Sequence, residues 1–350
     1  MLNSIFSIRP RQIKEDLANE FPAYRYKQLM KWLYEKFVFD PDQMTNLPAD
    51  LKQYLAEHYD FCLPKIVDAV TAADETTKYA LSLTDGSIIE MVLIPDGNKR
   101  TLCVSSQVGC SRACSFCATG RMGLKRNLFI HEIVAQILLA SQISAPHRLT
   151  NLVFMGMGEP LDNLDNLISC LQIIQDDDGL SFSPRRTTIS TCGVTQGIIR
   201  LADSGVKAKL AVSLNSAIDE KRNILMPINQ KEPLPRLKQA ILYYLRKSSF
   251  RVTFEYILIP DFNMDSADIK ALKRFVGDLS CKLNFIPYNE VPDLPYRSPT
   301  EPEIENFLRA AKSINQAITL RRSRGAEVCG ACGQLSASHN HQIKANTLKE

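Results

Sequence analysis

Cys110, Cys114 and Cys117 fall in the stretch Cys110-Ser-Arg-Ala-Cys114-Ser-Phe-Cys117, a C-x3-C-x2-C spacing. Three thiols this close together suit a metal better than a hydrophobic core or a redox switch. A structural zinc site wants four ligands, commonly as two separated C-x2-C knuckles, and ordinary iron–sulfur carriers also use four cysteines. Three thiolates around a four-iron cluster leave one iron open, and an open position is where a small molecule can be bound and activated. A structural zinc loop is the alternative, but no fourth ligand lies nearby in the sequence.

Those thiols need a scaffold, and the pattern from Thr101 onward supplies one. Candidate strands 101–106, 151–155, 186–190, 208–214, 252–259 and 282–286 alternate with helical patterns near 131–142, 163–175, 195–203, 234–247, 266–278 and 302–313. Six β/α units imply a parallel sheet. They are too few to close an ordinary eight-stranded barrel, so the expected fold is α/β, a curved and partly open six-unit (β/α) barrel. In such folds chemistry gathers at the carboxyl ends of the strands. Cys110, the Gly156-Met-Gly-Glu159 turn, Ser190, Ser213-Leu-Asn215 and Asn289 all fall there.

Ahead of the barrel, residues 1–68 read as a small helical domain. Pro10 opens one segment, Tyr26, Leu29, Leu33 and Phe37 mark a second, and a third begins near Pro48. Between residues 9 and 36, seven basic residues (Arg9, Arg11, Lys14, Arg25, Lys27, Lys31 and Lys36) face four acids (Glu15, Asp16, Glu20 and Glu35), so that stretch is locally basic; a solvated helix face is the alternative to a nucleic-acid contact. Residues 69–98 read as a β-hairpin extension, with Thr77–Leu83 and Ile88–Ile94 joined through Asp85-Gly86. Glu90 alternates onto the face of Ile88 and Val92, where a strand normally buries an apolar residue. A carboxyl there should have a raised pKa and can serve as a base. The alternative is an edge-strand charge that blocks aggregation.

The cysteine spacing followed by Ala118-Thr-Gly120, together with Met155-Gly-Met-Gly-Glu-Pro160 and Ala331-Cys-Gly-Gln-Leu335, resembles the radical S-adenosylmethionine (SAM) enzymes that methylate carbon 2 of adenosine in 23S rRNA and tRNA. The resemblance spans residues 99–350 as the radical SAM partial barrel and extends over nearly the whole chain. It implies one [4Fe-4S] cluster on Cys110, Cys114 and Cys117, with SAM on the open iron. It further implies SAM contacts from Gly158, Glu159, Ser190, Ser213, Leu214, Asn215 and Asn289. The family often has histidine where Asn215 stands; asparagine keeps a donor and loses the titratable ring. By the same resemblance Cys332 accepts a methyl group from one SAM, a second SAM starts the radical reaction at that methyl, and the enzyme is briefly bonded to RNA. Glu90 then matches the base and Cys103 the thiol that releases the adduct, leaving a Cys103–Cys332 disulfide. A buried apolar thiol is the alternative for Cys103. Carbon-8 methylation of the same rRNA nucleotide, or a radical reaction on another substrate, shares these motifs. One departure stands out: the family usually shows an acid three residues before the methyl-carrying cysteine, and this chain has Cys329.

Composition fits these expectations. The net charge of +4 permits RNA binding without demonstrating it. No apolar run approaches the ~20 residues of a membrane span, and the first residues lack a secretory pattern. The expectation is a cytoplasmic monomer with no membrane partner, supplied with electrons by a donor such as flavodoxin or ferredoxin. Ten cysteines in such a chain argue for metal or thiol chemistry. Cys62, Cys170, Cys192 and Cys281 read by default as buried apolar thiols, and Cys329 has no assigned role.

Overall fold

The computed structural model describes residues 2–336; the expected barrel domain's last residues, 337–350, lie outside them. Three helices, Pro10–Leu17, Ala23–Tyr34 and Ala49–His58, form the N-terminal unit where the apolar periodicity placed them. They bury Ile13, Leu17, Leu29, Leu33, Leu51 and Leu55 together. Tyr26 Oη donates to Asp178 (3.0 Å) and Gln142 donates to the Phe37 carbonyl (2.8 Å), tying the unit to the outside of the barrel. Of its basic residues, Arg11 and Lys31 pair with Glu15 and Glu35 on their own helices.

Ten strands make the main sheet: β1 (Lys65–Thr71), β2 (Thr77–Ser82), β3 (Ile88–Asp96), β4 (Lys99–Cys103), β5 (Asn151–Phe154), β6 (Thr187–Thr191), β7 (Lys209–Ser213), β8 (Val252–Leu258), β9 (Cys281–Pro287) and β10 (Ala317–Leu320). They lie side by side in chain order. From β4 to β10 all neighbours are parallel, and β1 to β4 are antiparallel. The six expected β/α strands are therefore present, and the sheet is longer at both ends. A seventh parallel strand, β10, adds on one side, and the extension is a three-stranded meander rather than a lone hairpin. Among the described residues β1 and β10 do not pair, so the sheet stays open.

Helices Ile130–Ser144, Leu164–Ile174, Thr195–Asp203, Leu234–Lys247, Ser266–Val276 and Glu301–Ala311 connect the parallel strands in turn. Parallel strands need such crossovers. In β8, alternation sends Phe254 and Tyr256 toward the helices, where they meet Phe275 and Phe307, and turns Glu255 and Ile257 to the inner face. Cys170 and Cys281 are buried in the core as expected, whereas Cys62 is exposed. Cys62 follows the two-residue strand Tyr59–Asp60, with its N–H donating to Asp60 (2.9 Å).

Candidate active site

The strand Gln107–Cys110 pairs antiparallel with Gly123–Asn127; Cys110 ends the first strand, and Cys114 and Cys117 lie in the segment between the two. Gly109, at φ +77°, lets the two strands touch, since a Cβ there would lie 1.9 Å from the Gly123 carbonyl oxygen. Arg112 forms a two-pronged ion pair with Asp162 and pins the loop to the segment after Glu159. Ser115 N–H donates to the Leu225 carbonyl (3.0 Å), and the Ser115 and Tyr296 hydroxyls are 2.8 Å apart. Cys110, Cys114 and Cys117 all line one cavity of about 150 Å³ at the carboxyl ends of the strands.

This donor set fits a cluster. Burial, and then the neighbouring sulfurs, raises the Cys114 thiol above its ordinary value, and burial pushes Cys110 up to about 12. Buried thiols that oppose each other's ionisation are relieved by a cationic metal centre. Among the described residues no three His, Cys, Asp or Glu side chains converge tightly enough for a single metal ion. A four-iron cluster does not require that, since each thiolate takes a different iron. Phe116, Met226, Ile228, Ile259 and Tyr288 pack around Cys114 and Cys117 as a dry apolar wall.

Successive strand ends line the rest of the cavity. Glu159 is buried and accepts from the N–H groups of Cys192 (2.7 Å) and Leu161 (3.1 Å). Burial raises its carboxyl against those hydrogen bonds. Gly158, at φ +98°, passes over Gln107, whose Cβ would be 2.5 Å from any added side chain. Ser190 and Ser213 face the cavity. Leu214 does not, because alternation turns it into the core. Asn215 lines the cavity in left-handed backbone (φ +57°), a conformation that asparagine and histidine tolerate better than most side chains. Its Oδ1 accepts from Ile257 N–H (3.0 Å), so it also links the ends of β7 and β8.

Cys332 reaches this cavity from the far end of the chain. Ala118 N–H donates to the Gly333 carbonyl (2.7 Å) and Thr119 Oγ1 to the Leu335 carbonyl (2.5 Å), so the C-terminal segment lies on the cluster loop. A second cavity of about 20 Å³ holds Cys332 and Cys103 together. Burial pushes the Cys103 thiol up to about 12, and Cys332 adds to the effect. Glu90 is buried on β3, which runs between β2 and β4 and is no edge. Its surroundings are less apolar than the alternation implied: Lys78 pairs with it at 2.9 Å, and Ser336 N–H donates to its other oxygen (3.0 Å). Asn289 lies behind the loop rather than along the cavity, donating to the Cys332 carbonyl (3.2 Å) and to Ser323 (2.9 Å).

Besides Arg112 and Lys78, three further charged residues at the site escaped sequence reasoning. Glu255 and Arg321 line the main cavity, and Arg321 borders the second one as well. Facing Cys332 foremost, the Arg321 guanidinium is held above its ordinary value despite its burial. Arg222 is fully buried and donates to the carbonyls of Leu214 (3.1 Å) and Cys192 (2.7 Å) and to Asn229 Oδ1 (2.7 Å). It fastens the ends of β6 and β7 to each other. Arg222→Met should lower stability by roughly 1–3 kcal/mol for each acceptor left unsatisfied. The change would be read as a lower urea midpoint at unchanged slope.

Comparison with known proteins agrees with this geometry. Residues 104–272 match the family model of the Radical SAM superfamily, and residues 18–60 that of the ribosomal RNA large subunit methyltransferase N-terminal domain. The probable dual-specificity RNA methyltransferase RlmN of Dictyoglomus thermophilum is 40% identical over 339 residues, covering 96% of this chain and 97% of its own. The dual-specificity RNA methyltransferase RlmN of Desulfotalea psychrophila is also 40% identical, covering 93% of this chain and 94% of its own. The crystal structure of a radical SAM methyltransferase from Sphaerobacter thermophilus superposes with a TM-score of 0.91 at 38% identity, over 96% of this chain and all of that one. With such identity sustained over nearly the full length of both partners, the chain belongs to the RlmN family of radical SAM methyltransferases.

Proposed function

We propose that this enzyme methylates carbon 2 of adenosine in 23S rRNA and in tRNA, consuming two SAM per methyl group and drawing electrons from a flavodoxin or ferredoxin. The observation that carries the proposal is the docking of the Cys332 segment on the cluster loop through Ala118 and Thr119, which gives Cys332 one cavity in common with the three cysteines and another with Cys103. Carbon 2 of adenine is an electrophilic C–H position, so direct transfer of an electrophilic methyl group should fail there.

Bound to Cys110, Cys114 and Cys117, a [4Fe-4S] cluster would supply the electron that cleaves SAM and starts radical chemistry. The chain's own residues do the rest. Glu159, with Gly158 beside it, offers an acceptor for the SAM ammonium, while Ser190 and Ser213 offer hydroxyls to its polar groups. Asn289 steadies the Cys332 loop from behind. Cys332 carries the methyl carbon and through it becomes bonded to the adenine ring. Glu90 takes the ring proton. Cys103 then attacks the Cys332 sulfur, freeing methyladenosine and leaving the two cysteines joined. The basic N-terminal helices contact RNA.

Nucleoside mass spectrometry of ribosomal RNA and tRNA treated with the purified enzyme tests the assignment. 2-Methyladenosine in both is expected; 8-methyladenosine, or no methylated adenosine, would overturn it. Glu90→Gln should lower methyladenosine formed per 5′-deoxyadenosine by about 10²–10⁴-fold, the usual loss for a missing general base. That variant also leaves Lys78 buried without a carboxylate, which destabilises the fold. The double variant Lys78→Met with Glu90→Gln separates the two effects: it should recover stability and stay inactive.

A further inference from the structure

The Cys329-Gly-Ala-Cys332 pair is a sequence feature for which the reaction above has no use. If turnover leaves Cys103 and Cys332 joined, that disulfide must be reduced before the next methyl group can be loaded. Its surroundings make this difficult. Cys103 is buried on β4, and the cavity it shares with Cys332 has room for about one water, walled by Ile94, Val153, Met155 and Arg321. A protein dithiol must bring its own sulfur to the disulfide, so access governs the rate. No such sulfur fits into a space of about 20 Å³ on the Cys103 side, and on the other side Cys332 is reached only through the cavity that the cluster cysteines and Glu159 line.

Cys329 immediately precedes the residues that line the smaller cavity without lining it itself. It is partly exposed, borders neither cavity, and is followed by Gly330 and Ala331, which do line the smaller one. Hydrogen bonds staple the turn at both ends, from Gly330 N–H to the Gly325 carbonyl (2.8 Å) and from Gln334 N–H to the Ala331 carbonyl (3.1 Å). Cys329 is held in left-handed backbone at φ +51°, which disfavours any side chain of this kind, and such outliers gather at working sites. The C-x2-C pair therefore has one thiol among the cavity linings and one beside them, both partly exposed.

We propose that Cys329 carries the oxidation out of the buried site. This rests on the reading that turnover joins Cys103 to Cys332. The Cys329 thiolate attacks the Cys332 sulfur, a Cys329–Cys332 bond forms, and the Cys103–Cys332 bond breaks. Cys103 departs as a thiolate beside the Arg321 guanidinium and takes up the proton that Cys329 released. An external protein dithiol then gives two electrons and two protons to the accessible Cys329–Cys332 disulfide and is itself oxidised to a disulfide.

The test uses the holoenzyme with SAM, RNA and a thioredoxin-type protein as reductant, quenched with an alkylating agent for peptide mapping. The parent should yield Cys329–Cys332 as well as Cys103–Cys332 linkages. Cys329→Ser should make its first equivalent of product normally, accumulate Cys103–Cys332 alone, and cycle at least about tenfold more slowly with the protein dithiol, with concentrated dithiothreitol restoring the rate. Cys329→Asn, which suits left-handed backbone, repeats the measurement should the serine variant fold poorly. Parent-like cycling of both variants with the protein dithiol, or a parent that never shows the Cys329–Cys332 bond, overturns the proposal. If the parent methylates RNA but forms no Cys103–Cys332 linkage, even when reductant is withheld, the underlying reading has failed instead.

Discussion

Cys103→Ala is expected to leave protein and RNA covalently joined. The two thiols share one small cavity, yet the proposed reaction gives them opposite fates. Without Cys103, Cys332 can still accept its methyl group and bond to adenine, but no second thiol is left in the cavity where its sulfur is attacked; Cys329, outside that cavity, is the one rival, and adding Cys329→Ser to Cys103→Ala removes it. Met155, Arg321, Ser323 and Arg324, the other polar or soft side chains around that cavity, cannot replace a thiolate in that attack. The stalled species should survive denaturing electrophoresis, shift the protein band by the mass of the RNA, and collapse on nuclease digestion. Cys332→Ala should bind SAM, form no adduct and methylate nothing. If position 103 served only as packing, Cys103→Ala would turn over normally after a stability loss of about 1–2 kcal/mol. An adduct-free, fully active Cys103→Ala enzyme would remove Cys103 from the reaction.

The second large effect belongs to the cluster loop. Replacing Cys110, Cys114 or Cys117 by alanine should abolish the brown iron–sulfur absorbance, the acid-labile sulfide and 5′-deoxyadenosine formation together, because two thiolates cannot hold a four-iron cluster that three already hold with one iron open. Sulfide analysis also tests the zinc alternative, since a zinc loop contains none. The fold should survive these changes better than the chemistry. The loop is held independently by the Arg112–Asp162 ion pair, by Ser115 and by the strand pairing around Gly109. Full retention of 5′-deoxyadenosine formation in any of the three variants would contradict the cluster assignment.

Strand-then-helix periodicity was legible from sequence to within a few residues because each short strand is followed by a helix of nine residues or more with a clear apolar face. β10 was not: Ala317–Leu320 is as short as β5, but no residue of it is buried, whereas β5 buries Leu152 and Phe154, so it carries a weaker apolar signal. Missing that strand meant missing Arg321, which follows it directly. Glu255 was within reach: it interrupts an apolar parallel strand just as Glu90 interrupts β3, and the same alternation would have turned it to the inner face. Lys78 was not, because the partner of a buried charge depends on register across strands, here Lys78 opposite Val92 and Ala80 opposite Glu90. Leu214 shows a limit of motif transfer. A three-residue motif on a strand end sends its middle side chain to the opposite face, so any contact Leu214 makes with a ligand must come from its backbone.

The docking of the C-terminal segment also dictates an order of assembly. Ser336 bonds to Glu90, the Leu335 carbonyl to Thr119, Gly325 N–H to Asp74, and Arg324 to Pro95 and Asp96, each contact joining positions more than two hundred residues apart. Closing loops of that length carries a large entropic penalty if they form alone. It is small once the intervening strands have already brought the ends together. During synthesis the cluster loop emerges long before the segment that covers it, and β5 to β10 must still be added to the sheet before that segment has a surface to dock on. The three cysteines therefore spend part of every chain's biogenesis uncovered, and under the proposed cluster assignment that is a period in which iron and sulfide can reach them before the C-terminal segment docks on their loop.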